Sequence, residues 1–162
     1  MDAIDRSILR ELQRDGRLSN TDLADRVGLT PSPCLRRVRQ LEENGVIRGY
    51  RALLDGDAVG RGFGAFVTVV MRYEDHDTVA EFERRVAEMP EVVEAHRLFG
   101  DPDFLLRVAV RDLAAYERFY SETLSGLPGV AQVTSHLAMK AIKPDTGLPI
   151  EKGPAHGGAG PG

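Results

Sequence analysis

Residues 27–47 have the sequence VGLTPSPCLRRVRQLEENGVI, and they decide the organisation of the N-terminal half of the chain. Gly28 can end one helix in a left-handed conformation. Thr30 is a suitable cap for the next helix, and Pro31 fits its first position, where no amide hydrogen is needed. The predicted apolar side of this helix consists of Leu35, Val38 and Leu41. The Asn-Gly pair at 44–45 predicts its end.

Two more helices are predicted before this one. The first covers residues 2–15, because apolar side chains recur there at helical spacing until an Asp-Gly pair. Ser19 opens the second helix, where Asp22 provides a variant of the capping box. Three short helices with a glycine-containing break before the third are typical of a helix-turn-helix. After them, residues 46–54 predict a short strand or a wing.

The outward side of the third helix carries the candidate DNA contacts. With Val38 pointing inward and a step of about 100° per residue, the outward positions are Ser32, Pro33, Arg36, Arg39, Gln40 and Glu43. Arginine can bind guanine through two hydrogen bonds or neutralise a phosphate, so Arg36 and Arg39 are assigned to bases or phosphates. Arg37 lies on the flank and is assigned either to a phosphate or to an ion pair within the domain. At the start of the second helix, Ser19, Asn20 and Thr21 either cap it or bring its amide groups to a phosphate.

Charge is distributed unevenly along the chain. The net charge is −4, but residues 31–51 carry five arginines against two glutamates, a net charge of +3. A basic patch on an acidic protein is either a DNA-reading surface or a solvated helix face.

Cys34 is the single cysteine, and its place in the first turn of a helix predicts a buried or half-buried side chain. The four histidines have no ligand spacing with it, so neither a metal site nor a cofactor is predicted.

The second half of the chain changes from helical to strand patterns after a glycine-containing linker at residues 51–62. The predicted elements are a strand at 63–73, a helix at 79–89, strands at 92–99 and 104–110, a helix at 113–124 and a strand at 130–142. This βαββαβ order is that of a ferredoxin-like domain, assigned to residues 63–143. The fold class is therefore α+β, with a winged-type helix-turn-helix at residues 1–50. Strands rich in Val, Phe and Leu on both faces predict that a second copy of the sheet covers the open face.

The chain ends in a segment of low complexity. Residues 151–162 hold five glycines and two prolines, so residues 144–162 are predicted to be a disordered tail.

No apolar run approaches the roughly 20 residues that cross a bilayer. The N-terminus has no apolar core of a secretory signal, and a cytoplasmic location without membrane contact is predicted.

Several short motifs, taken in order, resemble one family. In the N-terminal half they are Ile4–Leu9, Gly16–Asn20, Val27–Thr30, Leu35–Val38 and Leu41–Ile47. In the C-terminal half they are Gly100–Leu106 and Leu127–Val130. Together they resemble the leucine-responsive/asparagine regulators (the Lrp/AsnC or feast/famine family) over roughly residues 2–143. The tail beyond about residue 150 departs from the family pattern and is assigned no role.

The resemblance implies a transcription regulator rather than an enzyme. Members bind double-stranded DNA at pseudo-palindromic operators, form homodimers through the sheets of their C-terminal domains, and assemble further into tetramers or octamers. Amino acids bind between these domains and change assembly or DNA affinity. The residues alone leave two rivals: an enzyme on the ferredoxin-like half, for which no nucleophile–base pair is found, and an architectural DNA-binding protein without an effector.

The effector site is assigned to the turn at residues 100–104 and to the last strand. Gly100 permits close backbone approach to a carboxylate, and Asp103 can pair with an ammonium group. The full set of candidate effector residues is Leu98, Gly100, Asp101, Asp103, Thr134 and His136. From the residues alone an ordinary Asp-Pro-Asp turn is favoured over an effector loop; the resemblance reverses this preference.

Overall fold

The N-terminal helices begin and end where their capping residues stand. The computed structural model describes residues 1–72, 75–143 and 145–151, and in it α1 spans Ala3–Arg14, α2 Asn20–Val27 and α3 Pro31–Glu43. Asp2 and Asp5 form a reciprocal capping box at the start of α1, with N–O distances of 2.8 and 2.9 Å. Gly28, with φ of +71°, ends α2 in the left-handed conformation. The three predicted helices are confirmed.

The inner side of α3 differs from the predicted one. Cys34 is fully buried, whereas Leu35 is 38% exposed and lies outside the core. Cys34, Val38 and Leu41 follow the i, i+4, i+7 spacing of one helix face, and Leu35 is about 90° away from the middle of that face. Together with Ile8, Leu23 and Ala24 they build the small core of this unit. The prediction of Cys34 as a buried side chain is confirmed, and that of Leu35 as a core residue is wrong.

Residues 46–54, predicted to be a short strand or a wing, do not form a strand. Within residues 1–72 this segment pairs with no other strand, and an isolated strand leaves its backbone groups without partners. Tyr50 holds the segment in place instead: its hydroxyl donates to Glu42 Oε1 at 3.0 Å, and its ring packs against Gly16. Burial, reinforced by the Glu42 carboxylate, raises the pKa of Tyr50 to about 12.

The described residues of the second unit form four strands and two α-helices. Its elements are β1 (Phe63–Met71), α4 (His76–Glu88), β2 (Val92–Arg97), β3 (Phe104–Val110), α5 (Leu113–Glu122), a short 3-10 turn (Leu124–Gly126) and β4 (Val130–Leu137). The strands form one sheet in the order β2-β3-β1-β4, and every neighbouring pair is antiparallel. The predicted βαββαβ order is therefore confirmed. β4 ends five residues before the predicted 142, since its partner β1 begins at Phe63 and offers few residues beyond the Ala65–Leu137 pair.

Side chains on β1 and β3 alternate between a buried and an open face. The helices α4 and α5 cover one face, where the largest fully buried side chains are Phe82, Leu106, Leu124, Val67, Val69 and Val108. The open face is mixed rather than uniformly apolar, which corrects the expectation of Val, Phe and Leu on both faces. It carries Phe66, Val70 and Leu105 beside Thr68, Arg107 and His136.

The chain crosses between the two units twice. The first unit comprises Met1–Ala52 and the described chain from Ile142 onward, and the second comprises Leu53–Ala141. The predicted linker at 51–62 includes the first crossing, and it contains a turn at 56–60 in which Asp55 accepts hydrogen bonds from the amides of Asp57 and Ala58. The predicted tail begins at 144; residues 144 and 152–162 lie outside the described residues. None of the described helices is long and apolar enough to cross a membrane.

Candidate functional site

The outward face of α3 presents four of the predicted DNA contacts. Ser32, Arg36, Arg39 and Gln40 are exposed. Pro33, predicted to point outward, is half-buried, because the first turn of α3 lies against α2. Among the described residues no carboxylate forms an ion pair with Arg36 or Arg39, so both guanidinium groups keep their hydrogen-bond donors for another molecule. Such a face can bind base edges or phosphates in a major groove.

Arg37 has a different environment from its neighbours. Its Nη1 lies 2.8 Å from Asp2 Oδ2 and 2.7 Å from Asp5 Oδ1, and its side chain is 29% exposed. The hydrogen bonds to Asp5 and Asp2 raise the pKa of the Arg37 guanidinium. Of the two roles predicted for Arg37, this geometry favours the ion pair within the domain. The pair joins the start of α1 to α3 and so positions the helix that carries Arg36 and Arg39.

The start of α2 lies beside the start of α3. Asn20 Nδ2 donates to the carbonyl oxygen of Pro31 at 2.8 Å. Ser19 caps α2, since its Oγ accepts from the amide of Asp22 at 3.1 Å and donates to the Asp22 carboxylate at 2.6 Å. Thr21 is exposed. The starts of α2 and α3 are therefore held next to each other, and Ser19 and Asn20 maintain the backbone geometry there.

The open face of the sheet is organised by polar pairs between neighbouring strands. Thr68 Oγ1 and His136 Nε2 are 3.2 Å apart, and Thr134 stands opposite Thr68 in the β1–β4 ladder. On the other side, Glu94 lies 2.8 Å from His96 Nε2 and 3.1 Å from Arg107 Nε. The hydrogen bond from His96, followed by that from Arg107, lowers the pKa of Glu94. Phe66 lies between these polar pairs, near the middle of the face, and its side chain is 42% exposed.

The turn between β2 and β3 is held by Asp103. Its backbone amide donates to Val69 O at 3.0 Å, and its carbonyl accepts from Leu98 N at 2.7 Å. Its carboxylate Oδ2 accepts from the amide of Met71 at 2.6 Å. Gly100 has φ of +112°, a conformation that side-chain-bearing residues rarely adopt. Asp103 thus ties the turn to the end of β1, and among the described residues its second carboxylate oxygen has no hydrogen-bond partner.

Within one chain the six candidate effector residues fall into two groups. Leu98, Gly100, Asp101 and Asp103 lie in the β2–β3 turn, whereas Thr134 and His136 lie on β4. Since β1 separates β3 from β4, two strand spacings of roughly 10 Å in total lie between the groups. Asp103, whose carboxylate is bonded to the Met71 amide, is the part of the turn that reaches β1, the strand next to β4.

Phe99 is a candidate that the sequence reasoning missed. The pattern places it at the end of a strand, but β2 ends at Arg97 and the Phe99 side chain is fully exposed. Leu98 beside it is 37% exposed. The available signal was a pair of apolar residues, Leu98 and Phe99, directly before a Gly-Asp turn, because neighbouring exposed apolar side chains can form a contact surface.

Asp103→Ala is expected to destabilise the second unit. The substitution leaves the part-buried amide of Met71 without its acceptor, which costs about 1–3 kcal/mol in the free energy of unfolding. Asp103→Asn keeps an acceptor oxygen, so the decrease in its free energy of unfolding is expected to be less than half that of Asp103→Ala. Urea denaturation measures both values, and Asp101→Ala, at an exposed position in the same turn, is the control, with a change within about 0.5 kcal/mol. Equal stabilities of Asp103→Ala and the parent contradict the role given to this carboxylate.

Cys34 and the three described histidines, His76, His96 and His136, belong to no metal-binding cluster of the described residues. Within residues 1–72, 75–143 and 145–151, no group of three His, Cys, Asp or Glu side chains is arranged to hold a metal ion. Burial raises the pKa of the Cys34 thiol, which disfavours the reactive thiolate.

Two family models match the chain, one in each half. Residues 1–48 match a winged helix-turn-helix DNA-binding model, and residues 64–148 match the Lrp/AsnC ligand-binding domain. Among curated proteins, a Bkd operon transcriptional regulator of Pseudomonas aeruginosa is 46% identical over 142 residues, 88% of this chain and 93% of that protein. A leucine-responsive regulatory protein of Escherichia coli is 42% identical over 151 residues, 93% of this chain and 92% of that protein.

Solved structures agree with the sequence matches. A transcriptional regulator of Neisseria meningitidis in complex with L-methionine superposes with a TM-score of 0.88 at 40% identity, covering 92% of this chain and 96% of the other. An AsnC family regulator of Agrobacterium tumefaciens gives a TM-score of 0.86 at 44% identity, with 92% and 97% coverage.

Proposed function

The chain belongs to the Lrp/AsnC family of transcriptional regulators, a family of DNA-binding regulators rather than enzymes, and on this premise we propose how it reads DNA and is controlled. In this proposal α3 enters the major groove of a pseudo-palindromic operator in the cytoplasm, with Arg36 and Arg39 on bases or phosphates. Ser32, Pro33, Gln40 and the α2 residues Ser19, Asn20 and Thr21 border the contact. The observation that carries this is the pair of exposed, unpaired arginines on the outward face of α3.

The second part of the proposal is a homodimer formed by the open sheet faces. Phe66, Leu105 and Val70 give this face an apolar centre, and the Glu94–Arg107 and Thr68–His136 pairs surround it. When two copies pair about a twofold axis through this face, the apolar centre of each copy is covered by the apolar centre of the other. Assembly of such dimers into tetramers or octamers follows the family pattern.

The third part is an amino-acid effector bound where two second units meet. The turn with Gly100 and Asp103 offers backbone amides and one carboxylate oxygen, which match the carboxylate and ammonium groups of a zwitterion. Since β1 lies between the turn and β4 within one chain, the proposed ligand joins the turn of one copy to β4 of the other. Phe99 and Leu98, exposed beside the turn, supply the apolar contacts with the other copy.

An amino-acid screen tests the effector. At a hundred times its Kd, a ligand that binds only the folded state adds about 2.7 kcal/mol to the free energy of unfolding. We therefore expect one or a few of the twenty amino acids to raise the Tm in a thermal-shift assay, and the D-enantiomer of any chiral one among them to leave it unchanged. If none of the twenty raises the Tm, or if a chiral one has no larger effect than its D-enantiomer, an architectural DNA-binding protein without an effector replaces this proposal.

A further inference from the structure

The C-terminal segment is bound to α1 through a single glutamine. Gln13 Nε2 donates to the carbonyl oxygen of Leu148 at 3.0 Å, and Gln13 Oε1 accepts from the amide of Leu148 at 2.6 Å. Both main-chain groups of one residue are thus paired, as they are beside a neighbouring strand in a sheet. Gln13 and Leu148 are 135 positions apart in sequence, yet both belong to the first unit.

A local turn presents Leu148 in this orientation. Asp145 Oδ1 accepts from the amide of Gly147 at 2.9 Å, the pattern of an Asx turn. Gly147 has φ of +85°, and any Cβ at this position would collide with the Gln13 side chain. Arg51 lies 3.6 Å from Asp145, but both side chains are exposed, so this ion pair adds little. Gln13 and the glycine are therefore the two residues on which the contact depends.

The contact changes how the helix-turn-helix is attached to the rest of the chain. The chain leaves the first unit after Ala52, builds the second unit, and returns at Ile142. The return follows directly from β4, whose last residue is Leu137 and which carries Thr134 and His136. From Leu137 to Leu148 the chain has eleven residues, which span at most about 40 Å. The helix-turn-helix is thus connected to the second unit covalently through the chain after Ala52, and non-covalently through the returning segment that is hydrogen-bonded to Gln13.

We propose that residues 145–150, here called the strap, are a docking segment for α1 that acts as the second tether of the helix-turn-helix. A unit held by two connections samples fewer orientations than a unit held by one. In a dimer, this restriction raises the effective concentration of the second reading helix at its half-site once the first is bound. The strap therefore favours binding to paired half-sites over single ones, and this consequence rests on the dimer proposed above.

Hydrogen exchange of the full-length chain tests the docking itself. In the parent, the Leu148 amide should exchange about tenfold to a hundredfold more slowly than an unstructured amide, because two hydrogen bonds must open together. Gln13→Ala removes both hydrogen-bond partners of Leu148, and Gly147→Ala introduces the collision with the Gln13 side chain. In both variants the Leu148 amide should therefore exchange at the rate of an unstructured chain. Thr146→Ala, in the same segment, is the matched control and should exchange as the parent does. An unprotected Leu148 amide in the parent overturns the strap.

Binding to two DNA duplexes tests the tether. One duplex is selected from random-sequence DNA by the parent protein, and the other is the same duplex with one half-site scrambled. Gln13→Ala and Gly147→Ala should bind the two-half-site duplex roughly threefold to tenfold more weakly and the scrambled duplex as tightly as the parent. If the variants bind both duplexes more weakly by the same factor, the helix-turn-helix itself is damaged. If they bind both duplexes as the parent does, the strap does not restrict the orientation of the helix-turn-helix. Either result overturns the tether. If the parent protein itself binds both duplexes equally and is monomeric by light scattering, that result contradicts the proposed dimer, and the tether with it. The docking of the strap on α1 is then still decided by the hydrogen-exchange result.

Discussion

Arg36→Ala and Arg39→Ala are each expected to weaken operator binding by roughly fivefold to 150-fold, since a two-hydrogen-bond contact from arginine to guanine is worth about 1–3 kcal/mol. Both side chains are exposed on α3, and no carboxylate of the described chain forms an ion pair with them. Fluorescence anisotropy with a duplex selected by the parent, at one fixed salt concentration, measures the loss. The salt dependence identifies the contact: loss of a phosphate contact lowers the slope of log K against log salt by about one, and loss of a base contact does not.

Arg118→Ala is the matched control for the two arginine variants. It removes the same side chain from an exposed position of α5, in the other unit, and should bind DNA as the parent does. Wild-type affinity of both the Arg36 and Arg39 variants would show that the outward face of α3 is not the reading surface. Equal losses in all three variants would indicate a general effect of net charge rather than a specific contact.

Phe66→Asp is expected to convert the dimer into a monomer at micromolar concentration. Burying a Phe side chain contributes about 1.5–3 kcal/mol in each copy, and a twofold interface loses this contribution twice. The dimer should therefore dissociate roughly a hundredfold or more easily, before any cost of burying two carboxylates is included. Light scattering over a range of protein concentrations measures the shift.

Leu113→Asp is the control for the interface variant. Leu113 is 61% exposed at the first position of α5, which packs on the covered face of the sheet. An acidic side chain is compatible with the start of a helix, so the fold should tolerate the change. A Phe66→Asp protein that stays dimeric would place the interface elsewhere, and a parent that is monomeric at the same concentrations would remove the interface altogether.

Arg37 and Asp103 show where local sequence reasoning reached its limit. The helical step placed Arg37 on the flank of α3, but its partners Asp2 and Asp5 lie more than thirty positions earlier in the sequence. Asp103 was recognised as part of a turn, while its carboxylate is bonded to the amide of Met71 at the end of another strand. Each role depends on a partner that is distant in sequence and is brought close only by packing.

The sequence by itself determined the helices, the order of strands and helices, and the family, because these depend on spacing, capping residues and motifs that lie close together along the chain. It also determined that Arg36 and Arg39 point outward. Tertiary structure decided which flank of α3 is buried, so that Cys34 rather than Leu35 enters the core, and it left residues 46–54 without a partner strand. It also decided that β1 separates the effector turn from β4, and that Gln13 binds Leu148. The physical reason is common to all of these: burial, strand pairing and hydrogen bonding between distant residues depend on which surfaces meet, and a local pattern carries no information about its partner.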